Sequence, residues 1–230
     1  LILSPKPAFR VILSRGMDAG SPKTDSIKLQ AVWDGLDNAA KARMEKYAEL
    51  IFHYRDVARL TAMKTVDQVR EVLVKESLAL MPPLQAGSGD VADFGSGSGI
   101  PGIPLAIALP GTQFVLYERS ARKAGFLLIA IGALGIGNVA VVQSDPLRMN
   151  PPLQHQRLVT RASVTPNRLS EIAAKMLIYG GEMLGFLSEA MAQRFGAELP
   201  TGLRLIELRG YTGVSRSGFV YRLKWEAAAK

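Results

Sequence analysis

No cysteine occurs anywhere in the 230 residues. Disulfides, thiolate metal sites and cysteine nucleophiles are therefore excluded, and the composition fits a reducing cytoplasm. Histidine is nearly missing too, with His53 and His155 the only two. That leaves little material for a zinc site or a histidine-centred triad, so no metal is expected. Long apolar runs are also lacking. The longest, Ala124 to Ile136, carries three glycines and falls short of the ~20 residues that span a bilayer, so no membrane partner is expected. The opening stretch Leu1 to Lys6 has no charged leader ahead of an apolar core, and no signal peptide is expected. Acidic residues are outnumbered, 20 against 28 lysines and arginines, for a formal charge of +8. A basic chain favours polyanions, because its cations displace the counterions condensed on phosphates.

What is present suffices for a full core: 48% of the residues are hydrophobic, over a length that suits one large domain or one with an appendage. Residues 1–25 mix Pro, Gly, Ser and scattered basic residues without periodicity and read as a loose N-terminal arm. Residues 26–86 carry apolar residues at three- and four-residue spacing, first Ile27, Leu29, Val32, Trp33 and Leu36, then Met44, Tyr47, Leu50, Ile51 and Tyr54. A second helical pattern from Val66 to Leu80 is predicted to end at Pro82-Pro83. Residues 87–230 change rhythm. Short apolar runs at 90–94, 114–118, 139–143, 158–161, 183–187, 204–208 and 219–223 read as strands, and 103–109, 122–134, 169–179 and 189–195 as helices. Strands separated by helices predict a parallel sheet covered on both faces. The last two runs have only turn residues between them and predict an antiparallel hairpin. The expected fold class is α/β: a mainly parallel, seven-stranded, Rossmann-like sheet ending in an antiparallel hairpin, the methyltransferase variant of the doubly wound fold.

The run Asp93-Phe94-Gly95-Ser96-Gly97-Ser98-Gly99 closes the first of these strands. In an open parallel sheet, ligands sit beyond the carboxyl ends of strands where the strand order reverses. Glycines there permit positive φ and close approach of the backbone to a ligand. Counted from Gly95, directly after the strand, the dinucleotide fingerprint G-x-G-x-x-G is not matched, because the third glycine comes one residue early and position 100 is Ile. Asp93 also stands two residues before Gly95, where a pyrophosphate would be repelled but a sulfonium cation with an amino acid tail would not. The residues therefore favour S-adenosylmethionine over NAD. Glu118, 23 residues past Gly95 at the end of the second strand, suits a carboxylate receiving both ribose hydroxyls. Ser144 and Asp145 follow the third strand, where an acid could meet the adenine amino group or simply start a turn.

The longer run through Ile100-Pro101-Gly102-Ile103-Pro104 resembles the G-[ST]-G-x-G-[IL]-P-G-[IL]-P motif of the small-subunit ribosomal RNA methyltransferase G family (RsmG, also called glucose-inhibited division protein B). Leu60-Thr61, Gln143-Ser144 and Thr160-Arg161-Ala162 are similar to further family segments, and the likeness covers about residues 47–187. The resemblance implies a helical extension on a class I methyltransferase domain that methylates guanine N7 in 16S ribosomal RNA. It implies that Gly95, Gly97, Gly99 and Glu118 hold the donor, with Ser96 in the same turn. Arg161 is placed on the RNA or donor side, and 16S RNA or the small ribosomal subunit is the partner of a monomer. Three family segments differ: Leu73-Val74-Lys75-Glu76-Ser77 lacks a histidine and has Glu for Asp, Leu187-Ser188-Glu189 replaces a Lys-Gly pair, and Arg59 replaces an asparagine. They leave open a same-fold methyltransferase for a different RNA site, or a non-catalytic RNA-binding relative.

Guanine N7 is unprotonated at neutral pH, so its methylation needs no general base. Arg161 is accordingly cast in the catalytic site as a contact to a phosphate or to O6 rather than as an acid; an ion pair with a carboxylate is its alternative. RNA contacts are expected from Arg55, Arg59, Lys64, Arg119, Arg122 and Lys123, with Tyr54 as an exposed ring on which a base could stack.

Overall fold

A computed structural model describes residues 25–150, 153–161, 165–196 and 199–226. The expected arm therefore lies outside the described residues except for Asp25, as does Ala162. The helical part begins with a two-residue strand β1 (Ile27–Lys28) and the short helix α1 (Leu29–Asp34). After a break at Gly35, α2 (Asn38–Tyr54) starts where the Asp37 carboxylate accepts from the Ala40 N–H at 2.6 Å, satisfying an otherwise unpaired first-turn donor. The second helical pattern is not a plain α-helix. α3 (Val66–Gln68) is capped by Thr65 and widens into a π-helical stretch, Val69–Lys75. A 3₁₀ turn, Leu78–Leu80, then leads into α4 (Met81–Gln85). Pro82 and Pro83 thus open a helix instead of ending one, because first-turn positions need no intrahelical N–H partner.

The α/β part comprises β2 (Val91–Phe94), α5 (Gly102–Ala108), β3 (Phe114–Tyr117), α6 (Ala121–Leu134), β4 (Val139–Val142), β5 (His155–Thr160), α7 (Pro166–Met176), β6 (Leu177–Leu187), α8 (Glu189–Phe195), β7 (Leu203–Thr212) and β8 (Ser217–Trp225). The sheet order is β1-β7-β8-β6-β5-β2-β3-β4. Strands β4, β3, β2, β5 and β6 are parallel, and β8 runs antiparallel between β6 and β7. The order reverses between β2 and β5, which sets the crevice beyond their carboxyl ends.

Two further expectations are corrected. The sheet has eight strands, because Ile27 and Lys28 pair in parallel with Tyr211 and Thr212 at its edge; two residues leave no alternation to read. The helix expected over 169–179 stops at Met176, and β6 starts at Leu177. Ile178 and Tyr179 continue the apolar pattern but are exposed, and Gly180 takes a positive φ of 79° that a helix cannot use.

Side chains of successive strand residues point to opposite faces. Val91 and Ala92, Val159 and Leu158, and Leu184 and Met183 accordingly divide between two apolar clusters. The first cluster also contains Met44, Tyr47, Ala48 and Ile51 of α2 together with Ile103 and Leu127. The helical part is therefore built into the same core that supports the glycine turn.

Candidate active site

β2 delivers the chain into a turn held by its own backbone. The Ser96 N–H donates to the Tyr117 carbonyl at 3.0 Å, and the Gly99 and Ile100 N–H groups both donate to the Ser96 carbonyl, at 2.7 and 3.1 Å. The Ser96 hydroxyl donates to the Asp93 carbonyl at 3.1 Å. Gly95, Gly97 and Gly99 have φ of 70°, 59° and 78°, a region that costs any other residue about 1–2 kcal/mol. The three glycines serve different ends. A Cβ on Gly95 would meet nothing within 4 Å, and one on Gly97 nothing nearer than 3.8 Å, so this wall is bare backbone facing free space. A Cβ on Gly99 would lie 2.5 Å from Tyr47 Oη, 2.7 Å from Ile103 and 2.9 Å from Leu127. Gly99 is thus glycine for packing, and α2 docks there through Tyr47, whose hydroxyl donates to the Ser98 carbonyl.

Glu118 reaches this wall from the end of β3. Its Oε2 accepts from the Gly97 N–H at 2.9 Å and its Oε1 from the Ser120 N–H at 2.7 Å. Each carboxylate oxygen keeps a second lone pair, and the residue is 7% exposed. The Glu118 N–H donates to the Val142 carbonyl at 3.1 Å, and the Ser144 N–H donates to the same carbonyl at 2.9 Å. The strand ends carrying Gly95, Glu118 and Ser144 therefore lie side by side. The Asp145 carboxylate accepts from the Leu147 N–H at 3.2 Å and starts a 3₁₀ turn, Pro146–Arg148, the turn-starter geometry.

Asp93 sits under the turn rather than on its surface. Its Oδ2 accepts from the Gly102 N–H at 3.0 Å, and its buried Oδ1 has no partner among the described residues. Burial pushes its carboxyl up to about 7; the Gly102 N–H opposes the rise and the Glu118 carboxylate adds to it.

On the other side of the switch point, the Thr160 hydroxyl donates to the Phe94 carbonyl at 3.3 Å, tying the end of β5 to the start of the glycine turn. Arg161 follows, and it is turned onto the helical part. Its Nη2 donates to Glu76 at 2.5 Å and to the Val72 carbonyl at 2.8 Å, and its Nη1 to the Leu73 carbonyl at 3.5 Å. Burial pulls its pKa down and the Glu76 carboxylate opposes this. Arg161 still lines a cavity of about 570 Å³ with Glu76, Phe186, Tyr211, Arg216 and Tyr221. Glu76 was picked out in the sequence only as the acid of the family-like segment 73–77, and Tyr211 and Arg216 were not legible as its partners. They meet it across 135 and 140 residues of chain, a separation no local pattern encodes.

The basic residues expected to meet RNA fall into two groups. Arg119 and Arg122 are exposed and Lys123 half-buried, directly after Glu118. Arg55, Arg59 and Lys64 lie at and beyond the end of α2. Arg55 caps the Phe52 carbonyl at 2.7 Å and pairs with Asp56 at 3.3 Å, whereas Arg59 and Lys64 are exposed. Tyr54 is half-buried, with its ring 5.8 Å from that of Phe126. It is thus a link between α2 and α6 rather than the free stacking platform expected.

Solved structures of similar fold define the class. Magnesium protoporphyrin IX methyltransferase from Synechocystis PCC 6803, solved with bound SAM, has a TM-score of 0.53 at 15% identity. The alignment covers 84% of this chain and 99% of that one. A SAM-dependent O-methyltransferase from Thermotoga maritima has a TM-score of 0.51 at 17% identity, covering 68% and 66%. With the parallel sheet and its inserted antiparallel strand, this is the fold of class I S-adenosylmethionine-dependent methyltransferases. The family model for "rRNA small subunit methyltransferase G" matches residues 40–194. The ribosomal RNA small subunit methyltransferase G of Stenotrophomonas maltophilia (strain K279a) is 33% identical over 174 residues, 76% of this chain and 81% of that protein. The protein of the same name from Xanthomonas euvesicatoria pv. vesicatoria (strain 85-10) is 32% identical over 196 residues, 85% and 84%. The chain belongs to the rRNA small subunit methyltransferase G family, and its cofactor is S-adenosylmethionine.

Proposed function

We propose that the protein transfers the methyl group of S-adenosylmethionine to N7 of a guanine in 16S ribosomal RNA, acting in the cytoplasm on that RNA or on the small subunit. Family membership supports the RNA half of this reading. The donor half is carried by one observation: the Glu118 carboxylate is hydrogen-bonded to the Gly97 N–H of a wall with no side chain on it. That arrangement fits a nucleoside with vicinal hydroxyls. Bound there, the donor supplies a methyl carbon made electrophilic by a positive sulfur.

The chain's own residues then bind and align. Glu118 receives the ribose hydroxyls on its spare lone pairs, Gly95 and Gly97 let the donor lie against the backbone, and Ser144 and Asp145 border the base. Asp93, buried below, contributes negative charge behind the turn once it is ionised. No side chain has to remove a proton, since guanine N7 attacks with a ring-plane lone pair. This agrees with where the histidines are. His53 is exposed on α2, and His155 is buried between the Tyr117 hydroxyl at 2.8 Å and the Asp90 carboxylate. Catalysis is therefore positioning, which contributes up to ~7–11 kcal/mol when reacting atoms are held in line.

Small subunits lacking the modification, incubated with the protein and donor, should gain N7-methylguanine at one position of 16S RNA, read as a reduction-dependent strand break. Methylation of another atom or of no RNA would overturn the assignment.

A further inference from the structure

The cavity beyond the ends of β5 and β6 is organised by one buried acid. Glu76 is 2% exposed. Its carboxylate accepts from Arg161, from the Tyr211 hydroxyl, and from both Nε and Nη2 of Arg216, the Nε contact at 2.8 Å. One negative charge is thus shared by two guanidinium groups, and the cluster keeps a net charge of +1. The two arginines are not equivalent. Arg161 is bound inward by Glu76 and by the carbonyls of Val72 and Leu73, with its face 5.6 Å from the Phe186 ring. Arg216 precedes β8 at the rim, with its side chain 51% exposed. Glu76 takes the Nε–Nη2 edge of its fork, and no partner among the described residues takes the other edge.

We propose that Arg216 makes the phosphate contact of the acceptor RNA at the mouth of this cavity, and that Glu76 is the positioning residue that aims it. This rests on the reading above and moves to Arg216 the RNA contact that the sequence assigns to Arg161. A guanidinium pinned along one edge presents two near-parallel N–H donors on its other edge, the geometry that suits two phosphate oxygens. Pinning also removes much of the rotamer freedom that a surface arginine would otherwise lose on binding. The π-helical stretch that ends beside Glu76 thereby couples the helical part to the acceptor side.

The test measures binding of the full chain to 16S RNA across a salt series, with S-adenosylhomocysteine affinity measured in parallel. Arg216→Ala should weaken RNA binding about tenfold, the effect of losing one charge-assisted hydrogen bond. It should also flatten the plot of log K against log salt by about 0.7, one phosphate's share for single strands. S-adenosylhomocysteine binding should stay as in wild type, and Arg216→Lys should keep the slope. Glu76→Gln should weaken RNA binding in the same direction, and the double variant should be no weaker than Arg216→Ala, as coupled residues require. An unchanged slope in Arg216→Ala, an equal loss of S-adenosylhomocysteine affinity, or additive effects in the double variant would each overturn the proposal. Wild-type protein that binds the RNA but methylates nothing would instead count against the function proposed above.

Discussion

At the scale of single residues, Gly97 and Glu118 stand 21 positions apart yet share a hydrogen bond of 2.9 Å. Both were legible in the sequence, because a glycine run after a strand and an acid at the next strand's end are local signals. The separate duties of the glycines were not, since packing against Tyr47 is a long-range contact. That division gives opposite expectations. Gly99→Ala meets three neighbours at 2.5–2.9 Å with φ at 78° and should cost about 2–5 kcal/mol of stability. Gly97→Ala has space and should cost about 1–2 kcal/mol, while donor affinity drops. Urea denaturation with S-adenosylhomocysteine titration of both variants checks this; similar profiles would refute it. Asp93 supplies a pH dependence. Its folded pKa of about 7 lies above the ~3.9 of an unfolded aspartate, so the folded state holds the proton more tightly. The stability linked to that proton is complete below pH ~4 and is lost as pH rises to about 7. Asp93→Asn should remove this slope, measured as unfolding free energy from pH 5 to 8. A slope identical in wild type and variant would show that Asp93 is not its source.

At the scale of elements, α2 and α6 were located by an apolar face against the core, whereas α5 and the central strands β2 and β5, buried nearly all round, were located as short continuous apolar runs. Periodicity failed where the backbone changed state without a change in pattern. Leu169, Ile172, Ala173 and Met176 are buried at helical spacing, and Leu177 extends the pattern although it already belongs to β6. A Cβ on Gly181 would come within 2.9 Å of the Ile178 carbonyl and 3.1 Å of the Gln156 carbonyl, so close backbone approach fixes the strand there. The π-helical stretch Val69–Lys75 escaped for a related reason: a pattern of valines and leucines does not distinguish 3.6 from 4.4 residues per turn. The docking of α2 beneath the glycine turn is testable by Tyr47→Phe. Removing the hydroxyl leaves the Ser98 carbonyl without that donor and should cost about 1–3 kcal/mol, with a lower affinity for S-adenosylhomocysteine. A variant as stable as wild type, with unchanged affinity, would show that α2 does not support the turn.

For the molecule as a whole, the class was readable from the order of strands and helices together with one motif, and the family from the residues that continue that motif to Pro104. The cluster around Glu76 was not, since it joins Glu76 from the helical part, Arg161 from the end of β5 and Arg216 from the terminal hairpin. The charge of +8 is compatible with a polyanion partner but does not say which cations would meet it. Among those picked out from sequence, Arg161 is committed to Glu76 and Arg55 to a helix end, while Arg59, Lys64, Arg119 and Arg122 remain at the surface.

The most direct test of the donor site is calorimetric titration of S-adenosylhomocysteine into wild type and Glu118→Ala. Wild type should bind one equivalent, and the variant should bind at least tenfold more weakly, as expected for loss of a charged hydrogen bond. Binding by Glu118→Ala equal to wild type, or wild type binding NAD in preference, would contradict the account.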